Sequence, residues 1–271
     1  MKEAVVLPSG PEVPKLDNME PPAVSPPTRN HEGLWDAFDS GAYSDENYSD
    51  LREDDRMIAE KVRDFFATCD LGPGVHGVDV GAGSNLYPSL AMLPFCDRLD
   101  LNEFSTSNVE WLRAEQRDGF DPRWDKFWQI YTEHPVYARY AADHDPRVEF
   151  SHKAIISQGS IFALPTGEWD VGVMFFVACS LSTDEQEFRD AVHCFVRSLK
   201  AGAPFAAAFM TGSRGYCVAD RLFPAVPIDM EAVTRSLEPV AYDLKVEEIV
   251  GDRPLRPGVG MLLALGRASG G

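Results

Sequence analysis

Gly77-Val78-Asp79-Val80-Gly81-Ala82-Gly83-Ser84-Asn85-Leu86-Tyr87 reads as a short buried strand that stops at a glycine turn. Val78 and Val80 are strand formers. Gly81 and Gly83 can adopt backbone conformations closed to other residues and can approach a ligand closely. A strand followed by such a turn is how doubly wound α/β domains build a nucleotide-type site at the carboxyl end of the sheet. The dinucleotide fingerprint would need a third glycine at position 86, where Leu86 stands. That speaks against a nicotinamide-dependent dehydrogenase. A glycine turn that binds nothing is the alternative the motif alone leaves open.

Outward from this motif the chain alternates between strand and helix patterns. Leu51 to Phe66 carries apolar residues at helical spacing through Met57, Ile58, Val62, Phe65 and Phe66. After the turn, Arg98 to Asn102 predicts a second strand ending at Glu103, and Ser107 to Glu115 a helix. Residues 118–147 interleave aromatics with charges and predict one or two inserted helices. A third strand is expected over Val148 to Ile156. The apolar run Trp169 to Val177 suits a central parallel strand buried on both faces. A helix from Asp184 to Leu199, a strand from Pro204 to Met210 and a helix from Ile228 to Leu237 follow. Strands near Ala241 to Val250 and Gly260 to Leu265 close the chain as a hairpin.

Composition narrows the function classes. The 271 residues suit one large domain with additions, and 44% hydrophobic content supports a sizeable core. A net charge of −18 with no basic run argues against a nucleic-acid partner. Cys69, Cys96, Cys179, Cys194 and Cys217 are scattered without metal-ligand spacing, so no metal is expected and the thiols read as reduced, in a cytoplasmic protein. No signal peptide and no membrane-length apolar run are read. Three regions are expected: a proline-rich disordered arm over 1–30, a lid with its helix over 31–70, and a core over 71–271.

The segment before the motif is the most specific. Phe38-Asp39-Ser40-Gly41-Ala42-Tyr43-Ser44-Asp45-Glu46-Asn47-Tyr48 places an aromatic, a tyrosine and a second tyrosine ahead of the acidic Gly-x-Gly turn. Together these resemble the small-molecule methyltransferases that include nicotinamide, phenylethanolamine and indolethylamine/thioether methyltransferases, from about Trp35 to Leu265. The resemblance implies a Rossmann-type α/β fold: a seven-stranded, mostly parallel sheet with helices on both faces and an antiparallel last strand. It implies S-adenosyl-L-methionine as cofactor and S-adenosyl-L-homocysteine as product.

Residue by residue, the resemblance makes Tyr43 and Tyr48 lid tyrosines that approach substrate and the methionine carboxylate. Asp79, Gly81, Ala82, Gly83 and Tyr87 belong to the cofactor turn. Glu103, with Phe104 beside it, matches the acid that holds the ribose hydroxyls, a role that an acid ~20 residues after the turn also suggests on physical grounds. Asn108 supports the cofactor; Ser160 and Ile161 lie beside the adenine, Ser160 replacing the family's usual Asp. Phe176 forms the wall between the sites. Phe38, Val177, Cys179, Ser180, Met210, Thr211 and Tyr216 are the candidate substrate contacts, and Tyr43, Tyr48 and Tyr216 the candidate positioning groups for catalysis.

A bland reading stands beside each of these. Tyr43 and Tyr48 can be helix-packing aromatics, Asp79 a strand-end acid, Cys179 a small buried residue and 212–216 a surface turn. His152 and His193 read as ordinary histidines rather than bases. Amine-methylating relatives place an acid where Met210 stands. The expected acceptor is therefore a flat, largely apolar aromatic or heteroaromatic molecule of bacterial specialised metabolism, indole-like, methylated at carbon or nitrogen. Arylalkylamine or pyridine N-methylation remains the alternative, as does a non-catalytic protein that only binds the cofactor. The expected state is a monomer or homodimer.

Overall fold

The computed structural model describes residues 29–30, 33, 35–252, 256 and 258–270. The arm expected over 1–30 therefore lies, except for residues 29 and 30, outside the described residues. Strands β1 (His76–Val80), β2 (Arg98–Glu103), β3 (Ala154–Gln158), β4 (Val171–Phe175), β5 (Pro204–Thr211), β8 (Ala241–Ile249) and β9 (Gly260–Ala268) form one sheet in the order β3-β2-β1-β4-β5-β9-β8. The first five are mutually parallel, and β9 runs antiparallel to both β5 and β8. This is the Rossmann-type methyltransferase fold that the sequence predicts. Burial follows position: β4 and nearly all of β5 are buried, whereas the edge strand β3 exposes Ile155.

The strand order reverses between β1 and β4, so the loops after these two strands diverge and leave a crevice at the carboxyl edge. Helices α3 (Tyr87–Met92), α4 (Thr106–Asp118) and α8 (Glu185–Ser198) flank the sheet, with α9 (Met230–Leu237) packed on α8 and β8. Helix α1 (Ser40–Tyr48) starts where Asp39 accepts from the Ala42 amide at 2.9 Å. Helix α2 (Glu53–Thr68) follows it, with three acids in its first turn.

Two parts depart from the sequence reading. The third strand expected from Val148 is helix α7 (Pro146–Lys153) up to Lys153, and β3 begins only at Ala154. Local chemistry overrides the β-favouring side chains there. Asp145 accepts from the Arg147 amide at 2.9 Å, Pro146 occupies the first helical position, and Lys153 pairs with Glu149 one turn back at 3.1 Å. The second departure is a small hairpin, β6 (Tyr216–Val218) with β7 (Arg221–Phe223), where the sequence suggested only a turn.

The insertion before α7 is built from a short 3-10 turn at Pro122–Trp124 and helices α5 (Asp125–Thr132) and α6 (Pro135–Asp143). Its large aromatics serve packing. Trp124, Phe127, Tyr131 and Tyr137 are buried, and the last two donate to the backbone carbonyls of Tyr87 and Ala91 at 2.7 Å each. The insertion thus clamps α3 from outside. It also braces α1, since Arg123 donates to Asp45 at 2.7 Å and to Ser44 at 3.0 Å. Among the described residues no helix is long and apolar enough to cross a membrane.

Candidate functional site

One cleft lies over the carboxyl ends of β1, β2 and β4, with about 840 Å³ of space not filled by atoms, part of it open to solvent. Its floor is the glycine turn. Gly81 and Gly83 have φ of 68° and 58°, a region costly for residues with a Cβ. A Cβ on Gly81 would lie 2.6 Å from a methyl of Val177. The turn therefore passes as close to the end of β4 as a chain can. The Gly81 amide donates to the Asn102 carbonyl at 2.7 Å, which ties it to β2.

Glu103 ends β2 inside the cleft. One carboxyl oxygen accepts from the Gly83 amide and the other from the Ser105 amide, both at 2.8 Å. Burial pushes its pKa up, while those amides and the Asn108 side chain pull the other way. Asn108 in turn accepts from the Ser40 hydroxyl at 2.6 Å. The acid is thus held still by the turn, by α4 and, through Asn108, by the start of α1.

Residues 35–40 are stitched to the start of α4. The Ser105 hydroxyl donates to the Trp35 carbonyl at 2.7 Å, the Thr106 amide to Asp36 at 2.9 Å, and the Ser107 hydroxyl to the Phe38 carbonyl at 2.9 Å. From this base α1 carries Tyr43 and Tyr48 over the cleft, both of which line it. Their rings meet edge-on at 6.1 Å. Burial pushes the Tyr43 hydroxyl up to about 12, and those of Tyr48 and Tyr216 well above their ordinary range. All three are neutral donors at physiological pH, suited to positioning and not to proton abstraction.

The outer wall is aromatic. Phe223 of β7 stacks on Trp35 at 5.6 Å and on Tyr216 at 5.6 Å, and meets Phe38 edge-on at 5.1 Å. Phe38, Val218 and Phe223 form a small core of their own, apart from the main one, with Trp35, Tyr43 and Tyr216 packed against it. At the inner end Phe175, Phe176 and Val177 leave β4 beneath the cleft. Phe176 holds φ at 62°, an uncommon value for an aromatic, with its amide donating to the Ala208 carbonyl at 2.7 Å.

Most of the residues singled out from sequence converge here. Ala82, Phe104, Asn108, Ser160, Ile161 and Ser180 line the cleft along with those already named. Five are placed elsewhere. Asp79 turns behind the glycine turn, where it accepts from the Ser89 hydroxyl at 2.6 Å, and does not line the cleft. Tyr87 is buried below the tyrosine layer, its hydroxyl donating to Asp55 at 3.2 Å. Cys179 accepts from the Met210 amide at 3.2 Å, a packing role. Met210 and Thr211 on β5 also lie outside the lining, which Tyr216 of the hairpin occupies instead. Sequence reasoning missed Trp35, Ser84, Asn85, Asn102 and Leu181, all of which line the cleft. Ser84 and Asn85 directly follow the glycine turn, and that adjacency was the available signal.

No family model matches the chain, and no curated protein matches it. Several solved structures resemble it. The N-methyltransferase NodS from Bradyrhizobium japonicum WM9, in complex with S-adenosyl-L-homocysteine, is 14% identical at a TM-score of 0.48, covering 85% of this chain and 99% of that one. Geranyl diphosphate methyltransferase in complex with SAM is 12% identical at a TM-score of 0.47, over 79% and 85% of the two chains. The cyclase SpnF is 14% identical at a TM-score of 0.48, over 80% and 82%. Among the described residues no group of His, Cys, Asp and Glu is arranged to hold a metal ion.

Proposed function

We propose that the chain is an S-adenosylmethionine-dependent methyltransferase acting on a small, largely apolar aromatic or heteroaromatic acceptor, indole-like, at carbon or nitrogen. The observation that carries this reading is the composition of one cleft. A glycine turn held at positive φ, a fixed carboxylate and neutral tyrosines meet an aromatic wall there. The residues present suit the cofactor. The space over Gly81 admits no side chain, Glu103 offers acceptor oxygens at the end of β2, and the Ser84 hydroxyl is buried in the cleft with no partner among the described residues.

When bound, the cofactor supplies an electrophilic methyl group on its sulfonium. The chain's part is then alignment, which can provide most of the acceleration. Glu103 accepts from the ribose hydroxyls. Tyr43, Tyr48 and Tyr216 orient the acceptor and the donor's polar end, and the roof of Trp35, Phe38 and the hairpin excludes water. Glu103 is the only charged residue lining the cleft among those described, and no histidine lines it. An acceptor that attacks without prior loss of a proton suits such a wall, as an electron-rich ring carbon or an uncharged ring nitrogen does. A cationic amine would find no carboxylate other than Glu103 lining the cleft among the described residues, which disfavours the arylalkylamine reading.

The test is turnover of labelled S-adenosylmethionine with matched neutral indoles and protonated arylalkylamines, the methyl then being located by NMR. Methylation of the neutral arenes is expected. Glu103→Gln should weaken cofactor binding ten- to a hundredfold, the scale of one charge-assisted hydrogen bond at ~1.5–3 kcal/mol. Turnover of cationic amines alone would overturn the acceptor assignment. Cofactor binding without turnover of any acceptor would favour a binding protein.

A further inference from the structure

Behind the tyrosine layer sits a carboxyl that alignment of the acceptor does not use. Asp55, in the first turn of α2, is 3% exposed. It accepts from the Tyr87 hydroxyl at 3.2 Å. Tyr87 meets Tyr48 edge-on at 6.0 Å, and Tyr48 meets Tyr43 in the same way at 6.1 Å. Two cations attract Asp55 without forming a hydrogen bond to it among those described. Arg52 forks onto Asp54 at 2.9 and 2.6 Å, and Lys126 donates to the Ser49 carbonyl at 2.5 Å.

The cleft wall above this carboxyl is polar. Tyr43, Tyr48, Ser84 and Asn85 all line it. Asn85 is anchored by accepting from the Tyr87 amide at 3.2 Å, which puts it on the same tyrosine as Asp55. The Ser84 hydroxyl, 1% exposed at the residue level, has no hydrogen-bond partner among the described residues. Buried polar groups seldom remain unpaired, so a polar ligand group at this end of the cleft is the missing partner.

Resting on the methyltransferase reading, we infer that Asp55 is a buried counter-charge for the methyl donor, favouring its cationic sulfonium over the neutral thioether product. The donor carries one more positive charge than the product. An ionised carboxylate a few side chains away in a low-dielectric wall discriminates between them and favours replacement of product by donor. Asp55 acts through the tyrosines and is a positioning residue.

The signature is pH-dependent binding. Burial pushes Asp55 up to about 7; Asp54 adds to this, and Tyr87, Arg52 and Lys126 oppose it. From α1 and α5 the groups facing it are Tyr43, Tyr48 and Tyr131, all held neutral by raised pKa values. On β1, Asp79 also stands at about 7, through burial and the Glu103 charge. A cation in the cleft favours ionised Asp55, so binding near neutrality releases a proton to the buffer. Affinity for a cationic ligand then climbs with pH up to the free-state value and levels above it.

Calorimetry of the full chain in buffers of different ionisation enthalpy reads this directly. Sinefungin serves as the cationic probe with no transferable methyl, and S-adenosylhomocysteine as the neutral one. Sinefungin affinity is expected to rise about tenfold from about pH 5.5 to about pH 8 with proton release, as a one-unit shift requires, while the thioether stays flat. Asp55→Asn should flatten the sinefungin profile and Asp79→Asn should leave it. If Asp55→Asn does not fold, Tyr87→Phe removes a hydrogen bond to the carboxylate and should move the rise to higher pH. An unchanged slope in Asp55→Asn, an unmoved one in Tyr87→Phe, or an equal slope for the thioether overturns the inference. If neither probe binds the unmodified chain, the donor assignment itself fails and takes the inference with it.

Discussion

At Gly81 two constraints coincide: a backbone φ of 68° and a Val177 methyl 2.6 Å from where a Cβ would sit. Alanine there must either push Val177 into the cleft or move the turn, and it also carries the left-handed penalty of roughly 1 kcal/mol. Gly81→Ala is expected to lower the melting temperature by several degrees and to cut cofactor affinity at least tenfold, as read by differential scanning and by calorimetry. Unchanged affinity would show that the turn does not approach its ligand closely. Gly83 is a useful contrast. Its φ is 58°, but a Cβ there would meet nothing nearer than the Gly81 carbonyl at 3.7 Å, so Gly83→Ala should act through backbone strain alone. Both glycines stand out in the sequence as a turn. Only the structure separates them, because Val177 lies far along the chain, just beyond the end of β4.

At the scale of elements, the roof is built from two distant pieces of chain. The turn around Trp35 is stitched to α4, and the β6–β7 hairpin stacks on it through Phe223. Phe223→Ala removes the middle ring of three, and aromatic pairs of this kind contribute ~0.5–1.5 kcal/mol each beyond burial. The Michaelis constant for the acceptor should rise several-fold, with cofactor affinity and the main melting transition little changed. Steady-state kinetics beside calorimetry would check this, and an equal loss for both ligands would refute the hairpin's place over the acceptor. Helices such as α2 and α8 and strands such as β4 were legible because their apolar spacing is long and regular. Helix α7 was not, because a cap and a proline at its start outweigh Val148 and Phe150. The hairpin was not, because its three-residue strands have no periodicity of their own and exist to meet Trp35 and Phe38. The same logic explains Met210. Its place at the end of β5 suggested a substrate contact, but which loop covers a strand end is decided by tertiary packing.

For the molecule as a whole, acidity and burial pull stability in one direction. Asp55 and Asp79 are held near 7 by burial, against an ordinary value of 3.8 that the unfolded chain would show. Between about pH 4 and about pH 7 the native state keeps protons that the unfolded state has lost, so stability falls as pH rises through that window and levels above it. Self-repulsion from the net charge of −18 has the same sign, but salt screens it. The melting temperature should be higher near pH 5.5 than near pH 8. In high salt the double variant Asp55→Asn with Asp79→Asn should lose most of the difference, whereas a slope of opposite sign would mean that both carboxyls are ionised in the native protein. One feature of the sheet bears on how such a molecule is made. Strand β9 lies between β5 and β8 yet follows both in the chain. Until it has left the ribosome, β5 has an open edge lined by Ala206, Ala207 and Ala208, which are all buried in the finished sheet. An unfinished sheet with an exposed apolar edge pairs readily with other chains. The nascent protein is therefore most exposed to aggregation, and most in need of a chaperone, during the interval between the synthesis of β5 and the insertion of β9.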